Sequence, residues 1–587
     1  NSKYEYKNYK NSMKNFCIDT STLNIINDMS IRTNTIIRHA CYFLKLYFDH
    51  LFENNIDFPE ITVDFLRYIY TFVSTISSNR KTKTNIQRVN KFNDEIFSKI
   101  RMQKKSRDGI TNILSYESEI LVTNIENNIK FHFYDHFSKY INVMFNYLER
   151  ENEINKLKIS EKEKKIKVNI LRKELYDIKM NILSNEDIKK STKYRKEILQ
   201  IRHELFSHIL DINKKGIGYD IHVQPQQYLY SLYKIIKYYE KCNNENKNKA
   251  NYREIKLFKI LPMRTTLIPR NITIDTEVII QNFKEKLKEK ISEIDKTCEN
   301  IEDLRKDFGK KKLHNKIWNV LFNMNNKFFK NKNKYKFDYI LKTNSISCSA
   351  QFKLKDELIN NKKPKIKSLI PKEEFKYIDD MNKTNRFEIL NKKKVVCIDP
   401  NKRDLMYCGT YKNNKFENFR YTQMERRKET QSKNHIKIRK ELEKKIVKKK
   451  KSNGKNVKWR KEDEKTLKEY ELKKTEYSIK SIDVKKISKN INEIEKINVE
   501  IKENYEEKIY RKLEWNKYIN REKTESKMIK NFKEKMGKKE DTVVLVGDYS
   551  VKSKNMKGTL PAIAKRILTI YKKNKYEVYL IDERYTS

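Results

Sequence analysis

The stretch VVCIDPNKRDLMYC, residues 395–408, holds the side chains best placed for chemistry. Val395, Val396, Cys397 and Ile398 lead into Asp399, and Lys402, Arg403 and Asp404 follow before the chain turns apolar again at Leu405. A near-continuous apolar run is the pattern of a strand buried on both faces, so a carboxylate at its end is delivered to a sheet edge. One carboxylate is not a site. Two later apolar runs end in the same way, TVVLV before Gly547 and Asp548, and YEVYLI before Asp582 and Glu583. Carboxylates without His or Cys select hard cations such as Mg²⁺. Two such ions, typically about 4 Å apart, activate a water and stabilise the leaving oxygen of a phosphodiester. Lys402 and Arg403 then sit where a scissile phosphate arrives. Carboxylates at strand ends are also ordinary caps, so Asp399 alone assigns nothing.

The surrounding elements must bring those three strand ends together. VVCID, LMYCGTY and FENFRYTQ read as three consecutive antiparallel strands with short turns. A basic helical insertion over about 424–540 follows, and then a strand, the helix PAIAKRILTIYKK and a last strand. Right-handed crossover makes the strands at 543–548 and 577–582 parallel. This is the element order of an RNase H-like sheet, in which both strands also run parallel to the first and ligands bind outside their carboxyl ends. With neighbouring strands about 4.8 Å apart, a Glu one strand further out still reaches a metal held by Asp399.

The rest of the chain reads as α+β and multidomain. At 587 residues, three or four domains are expected. Residues 22–150 have helical spacing, with Ser21 and Thr22 as a candidate start, and helical character continues to 212. A helix is expected from about Gln226 to Lys241, then a linker over 242–251. Residues 1–254 thus form a mainly helical recognition lobe, whose N-terminal residues are candidates to join the next domain. Residues 255–392 form a mixed domain with a small sheet. In it IKLFKILPMRTTLIPRNITIDTEVI reads as strand-like, cut by Pro262 and Pro269, a charged helix capped by Asp275 or Thr276 runs to about Phe308, and two strands flank a turn at Thr343-Asn344-Ser345. Residues 393–587 form the third domain.

Charge narrows the partner. Lys and Arg number 131 against 79 Asp and Glu, a net +52, and aromatics interleave with the cations, so a polyanion is expected. No apolar run is long enough to cross a membrane and no signal peptide is visible. The seven cysteines form no CxxC pair, which excludes a zinc ribbon from this stretch. His132 and His136 sit four apart in KFHFYDHF without a third ligand nearby, and read as ordinary helix histidines.

These residues carry a family resemblance. VVCIDPNKRDLMYC resembles the first RuvC motif of the TnpB and Fanzor transposon-encoded nucleases. LPMRTTLIPRNITIDT resembles a block upstream of it in Fanzors, and KTNSISCSAQF their TDG-type hairpin. FRYTQMERRKET, GDYSVKSKNMKGTLP and LIDERYTS are similar to their later blocks, in the same order. The resemblance spans about 261–587, and the helical first half shares only character. It implies a recognition lobe, a wedge domain and a RuvC domain related to those of type V CRISPR effectors. It implies a monomeric ribonucleoprotein, with an omega-type guide RNA, target DNA and no membrane as partners, in a eukaryotic nucleus. Two rivals stay open, a guide-free RNase H-like nuclease or transposase, and an RNA-binding protein with a decayed nuclease domain.

Residue by residue, the resemblance implies Asp399 and Glu583 as catalytic metal ligands for Mg²⁺. TnpB proteins carry a Glu at the position of Gly547, and Fanzors place an alternative Glu just before the Tyr-Thr-Ser segment. Asp548 is the runner-up. A third Asp, and a ribbon holding Zn²⁺, are expected beyond Ser587. Arg264, Arg270, Lys402, Arg403, Arg426, Arg427 and Lys557 are the candidate nucleic-acid contacts. Asn401 replaces the usual Gly after Asp-Pro, as a residue tolerant of positive φ. The basic stretch 444–461 also fits a nuclear import signal.

Overall fold

The structure, a computed structural model, describes residues 6–77, 86–184, 187–209, 212, 216–249, 252–330, 334–355, 375–401, 403–412, 415–447, 465–548 and 564–582. The elements that matter below are, in chain order, β1 (Tyr6–Ser12), α1 (Thr20–Glu53), α2 (Val63–Val73), α3 (Thr111–Met144), α4 (Glu161–Leu183), α5 (Leu229–Asn246), β2 (Ile272–Ile274), α6 (Thr276–Asn282), β3 (Tyr335–Thr343), β4 (Ser347–Leu354), β5 (Lys394–Asp399), β6 (Asp404–Lys412), β7 (Lys415–Thr422), α7 (Gln423–Glu429), α8 (Val484–Glu506), α9 (Lys508–Met536), β8 (Thr542–Gly547), α10 (Ala564–Lys573) and β9 (Glu577–Ile581).

The chain divides into two compact units, Asn1–Lys365 with Val447–Glu507, and Ile366–Ile446 with Lys508–Ser587. Neither expected boundary, at 254 or at 392, falls between them. The described parts of the expected insertion at 424–540 are largely helical, but α8 belongs to the first unit while α7 and α9 belong to the second.

In the first unit α1 is buried on every side from Thr33 to Asp49. A helix so placed must satisfy whatever polar groups it carries. It carries Arg38, His39, Lys45 and Asp49. Lys45 Nζ donates to both carboxylate oxygens of Asp49, at 2.5 and 2.6 Å, and to the Ser481 carbonyl at 2.7 Å. Arg38 and His39 meet Glu495 of α8. The cap of α1 is Asp19 rather than Ser21 or Thr22: its carboxylate accepts from the Thr22 amide at 2.7 Å and from Lys286 Nζ at 2.6 Å.

The same unit holds a four-stranded antiparallel sheet in the order β1–β4–β3–β2, so the N-terminal segment does join the small sheet. The turn is closed by Thr343 Oγ1 donating to the Ser347 carbonyl at 2.8 Å and by Asn344 Oδ1 accepting from the amides of Ile346 and Ser347. Ser345 takes φ +71° there.

Two readings between 255 and 308 fail for identifiable reasons. Of the strand-like pieces expected between the cuts at Pro262 and Pro269 and beyond, only Ile272–Ile274 pairs. Before it, helix side chains occupy backbone acceptors in place of a ladder: Asn128 donates to the Ile260 carbonyl at 3.0 Å, Lys139 to Lys256, and Ser30 and Asn34 to Arg270. The expected charged helix starts as read, with Asp275 accepting from the Val278 amide. It breaks after Asn282, whose side chain turns back to the carbonyls of Val278 and Gly109, and short helices follow to Asp307. The helix expected at 226–241 runs instead from Leu229 to Asn246, taking up part of the expected linker.

The second unit is built on a five-stranded sheet in the order β9–β8–β5–β6–β7. β8 runs parallel to both β5 and β9, and β6 and β7 are antiparallel. Side chains alternate across it. Val396, Ile398, Val544 and Val546 enter a core with Met528, Phe532 and Met536 of α9 and Ile567, Leu568 and Tyr571 of α10. A short segment flanks β9, with the Ile378 amide donating to the Leu580 carbonyl and the Leu580 amide to the Lys376 carbonyl, both at 2.9 Å.

Candidate active site at the sheet edge

β5 is the central strand, and its last residue is Asp399. Val546 pairs with Ile398 and Gly547 with Ile581, so Gly547 is level with Asp399, and Asp548 and Asp582 follow the ends of β8 and β9. The carboxyl ends of three adjacent parallel strands therefore present Asp399, Asp548 and Asp582 along one edge, as the element order requires.

Alternation separates them. Asp399 is exposed and pairs across to Tyr407, which is exposed too, while its neighbours Ile398 and Cys408 are buried in the core. Asp399 thus faces away from α9 and α10. Asp548 is half-buried and accepts a hydrogen bond from the Tyr377 hydroxyl at 2.6 Å. Tyr377 pairs with Leu580 and packs on the core, so Asp548 is held toward the opposite face. Gly547 supplies no side chain at the level of Asp399. Asp582 has interactions of its own. Glu583 lies outside the described residues.

The loop after β5 is tied by backbone. The Asn401 amide donates to the Asp404 carbonyl at 2.9 Å, and the Gln423 amide to the Arg403 carbonyl at 2.9 Å. Asn401 keeps negative φ, so the tolerance expected of it is not used. Arg403 is exposed. Asp404 accepts from Arg420 Nε at 2.7 Å, which raises the guanidinium pKa. α7 begins directly after β7 with a reciprocal cap: the Glu425 amide donates to Thr422 Oγ1 and the Thr422 amide to the Glu425 carboxylate. This orients Arg427, exposed, and Arg426, half-buried, in its last turn.

The other expected contacts scatter. Arg264 lies in the first unit, 2.7 Å from the Glu117 carboxylate, with side chains 12% and 2% exposed. That guanidinium is committed to an internal ion pair. Arg270 offers its carbonyl to Ser30 and Asn34. Lys402 and Lys557, like most of the basic stretch 444–461, lie outside the described residues.

Among the described residues no group of three or more His, Cys, Asp and Glu side chains is arranged to hold a metal ion. His136 stacks on Phe258 with ring centroids 3.6 Å apart, and burial lowers its pKa to about 4; His132 is exposed on the same helix, α3. At the sheet edge Asp399 is an open, oxygen-only donor, which suits a hard cation as one ligand of a set. Sequence reasoning missed Tyr377 and the exposed residues Tyr407, Tyr411, Phe416 and Arg420. The alternation of buried and exposed positions from Met406 to Tyr411 was the signal available for the tyrosines.

A family model described as a domain of unknown function (DUF8286) matches residues 272–354. That span holds three of the four strands of the first unit's sheet, β2, β3 and β4, and stops short of β1 and of the whole second unit. No curated protein matches the chain.

Proposed function

We propose that this chain is an RNA-guided DNA endonuclease of the Fanzor type, cutting by metal-dependent phosphodiester hydrolysis in an RNase H-like domain. The observation that carries the reading is Asp399, exposed at the carboxyl end of the central strand of a sheet ordered β9–β8–β5–β6–β7 with β9, β8 and β5 parallel. The net charge of +52 supports a polyanionic partner. Asp399 and Glu583 would hold Mg²⁺, which when bound would lower the pKa of a water and neutralise the leaving oxygen. Arg403, beside Asp399, is the cation for the arriving phosphate, and Arg427 extends that charge along α7. Base pairing with the guide would read sequence, while the protein reads a short flanking duplex motif.

A second reading has its own support. Gly547 is level with Asp399, and Asp548 is engaged by Tyr377, as expected of an RNA-binding protein whose nuclease site has decayed.

One experiment separates them. The protein is purified with the RNA that accompanies it, the RNA is sequenced, and matched DNA is offered with Mg²⁺. A structured RNA ending in a variable segment, with cutting abolished by Asp399→Ala and by Glu583→Ala and only reduced by Asp548→Ala, is the expected result. Because the nuclease reading expects a third Asp beyond Ser587, the protein is taken from its host, and a bound RNA without any cutting there favours decay. Cutting at an unchanged rate by Asp399→Ala removes the nuclease assignment.

A further inference from the structure

Among the described residues, the face of the second unit's sheet that carries Asp399 is exposed over its antiparallel half. Asp399 pairs with Tyr407 and Tyr407 with Arg420; Cys397 pairs with Gly409 and Gly409 with Asn418; Tyr411 pairs with Phe416. Paired residues share a face. All of these are exposed except the half-buried Gly409, while the alternate positions Ile398, Cys408, Thr410, Phe419 and Tyr421 are buried. Tyr411 is 74% exposed, Phe416 50% and Tyr407 38%.

This is an arrangement and not a scatter of surface aromatics. The rings of Tyr411 and Phe416 lie 5.4 Å apart. A Cβ on Gly409 would stand 2.8 Å from the Phe416 ring, so the ring lies down on the one strand position without a side chain. From Tyr407 to Tyr411 is four residues, about 13 Å of strand, which at roughly 3.4 Å per stacked nucleotide covers about four bases. Arg420 pairs across from Tyr407, its side chain half exposed, with Nε on Asp404. Exposed rings beside cations on a sheet are the means by which unpaired bases are held without sequence preference. The chain's net charge of +52 favours a polyanion over a second copy of this equally basic protein.

We infer that this open face is a stacking platform for about four unpaired nucleotides of a DNA strand, formed by Tyr407, Tyr411 and Phe416 with Arg420 and ending at Asp399. The choice of DNA over RNA rests on the nuclease reading above; the platform itself does not.

The test uses the intact chain in EDTA, so that nothing is cut, and a single-stranded oligo(dT) carrying 5-iodouracil. Ultraviolet cross-linking is followed by peptide mapping. Adducts on Tyr407, Tyr411 or Phe416 are expected, along with a fall in single-strand affinity of about 5- to 150-fold for each stack removed by Tyr411→Ala or Phe416→Ala. Tyr411→Trp should bind as the parent does, and the thermal transition of all three variants should be unchanged because both side chains are exposed. Adducts confined to other aromatics, preference for duplex, preference for the matching oligo(U), or a dimer that these substitutions dissociate would each overturn the proposal. Asp399→Ala keeps the platform: if it still cross-links but does not cut, both readings stand, and if it cross-links and cuts normally, only the nuclease reading falls.

Discussion

Glu495→Gln should destabilise the first unit by several kcal/mol although it deletes only a charge. In α8 the Glu495 carboxylate accepts from Arg38 Nε at 3.3 Å and from Asn498 Nδ2 at 2.6 Å, and lies 3.2 Å from His39 Nε2. The Arg38 and Glu495 side chains are 7% and 2% exposed. Burial alone would raise the Glu495 pKa, but the His39 hydrogen bond and the Arg38 charge outweigh it and bring the pKa to about 2. Burial also depresses the His39 pKa, so a neutral imidazole donates here. Against an ordinary Glu near 4.3, the depression corresponds to about 3 kcal/mol at neutral pH. Because the folded pKa is the lower one, this stability is complete above about pH 5 and is lost as pH falls toward 2. Removing the carboxylate strands Arg38, for which breaking a buried pair costs about 3–5 kcal/mol. Hydrogen exchange of the α8 and α1 amides reads this locally, with Asp64→Asn, which breaks the exposed Arg67–Asp64 pair, as the control. The control should move stability by less than about 1 kcal/mol. Equal exchange rates in Glu495→Gln and Asp64→Asn would refute the argument.

Gly409→Ala should displace the Phe416 ring and lower the thermal midpoint, whereas Gly409→Ala with Phe416→Ala removes the clash and should return the midpoint toward that of the parent; near-ultraviolet circular dichroism and melting report both. Arg264→Ala leaves Glu117 buried and alone and should cost about 3–5 kcal/mol by chemical denaturation, while Arg427→Ala should leave stability unchanged and reduce the slope of log K against log salt for nucleic acid by about 1. Thr422→Ala removes the cap of α7 and should cost about 1 kcal/mol; a change within about 0.2 kcal/mol would mean that α7 is positioned by packing alone.

Much of the second unit was legible because its strands are short, apolar and separated by clear turns. The pattern placed VVCID, TVVLV and YEVYLI as parallel neighbours, and so put Asp399, Asp548 and Asp582 on one edge. Alternation also gave the opposed facing of Asp548, though not Tyr377, which comes from a segment with no strand pattern. The first unit was less legible where polar side chains replaced backbone partners. Asn128, Lys139 and Ser30 are unremarkable helix residues in sequence, yet they decide that 255–271 does not form a ladder. Arg264 illustrates the limit for sites: a cation destined for Glu117, 147 residues earlier, looks the same in sequence as one destined for phosphate. The unit boundaries were hidden because α8 returns to α1 from across the chain, and its apolar stripe does not say against what it packs.

That return has a consequence for synthesis. Arg38 leaves the ribosome 457 residues ahead of Glu495. At roughly 5–20 residues per second, α1 waits about 20–90 s with a guanidinium and an imidazole in its midst and no carboxylate to receive them. Nor can the second unit close meanwhile, since β8 and β9 follow α8. The newborn chain therefore carries two unfinished cores at once, and the completion of each depends on its last quarter. Holdase binding to α1 during translation, released only when α8 has emerged, is the cellular behaviour this connectivity calls for.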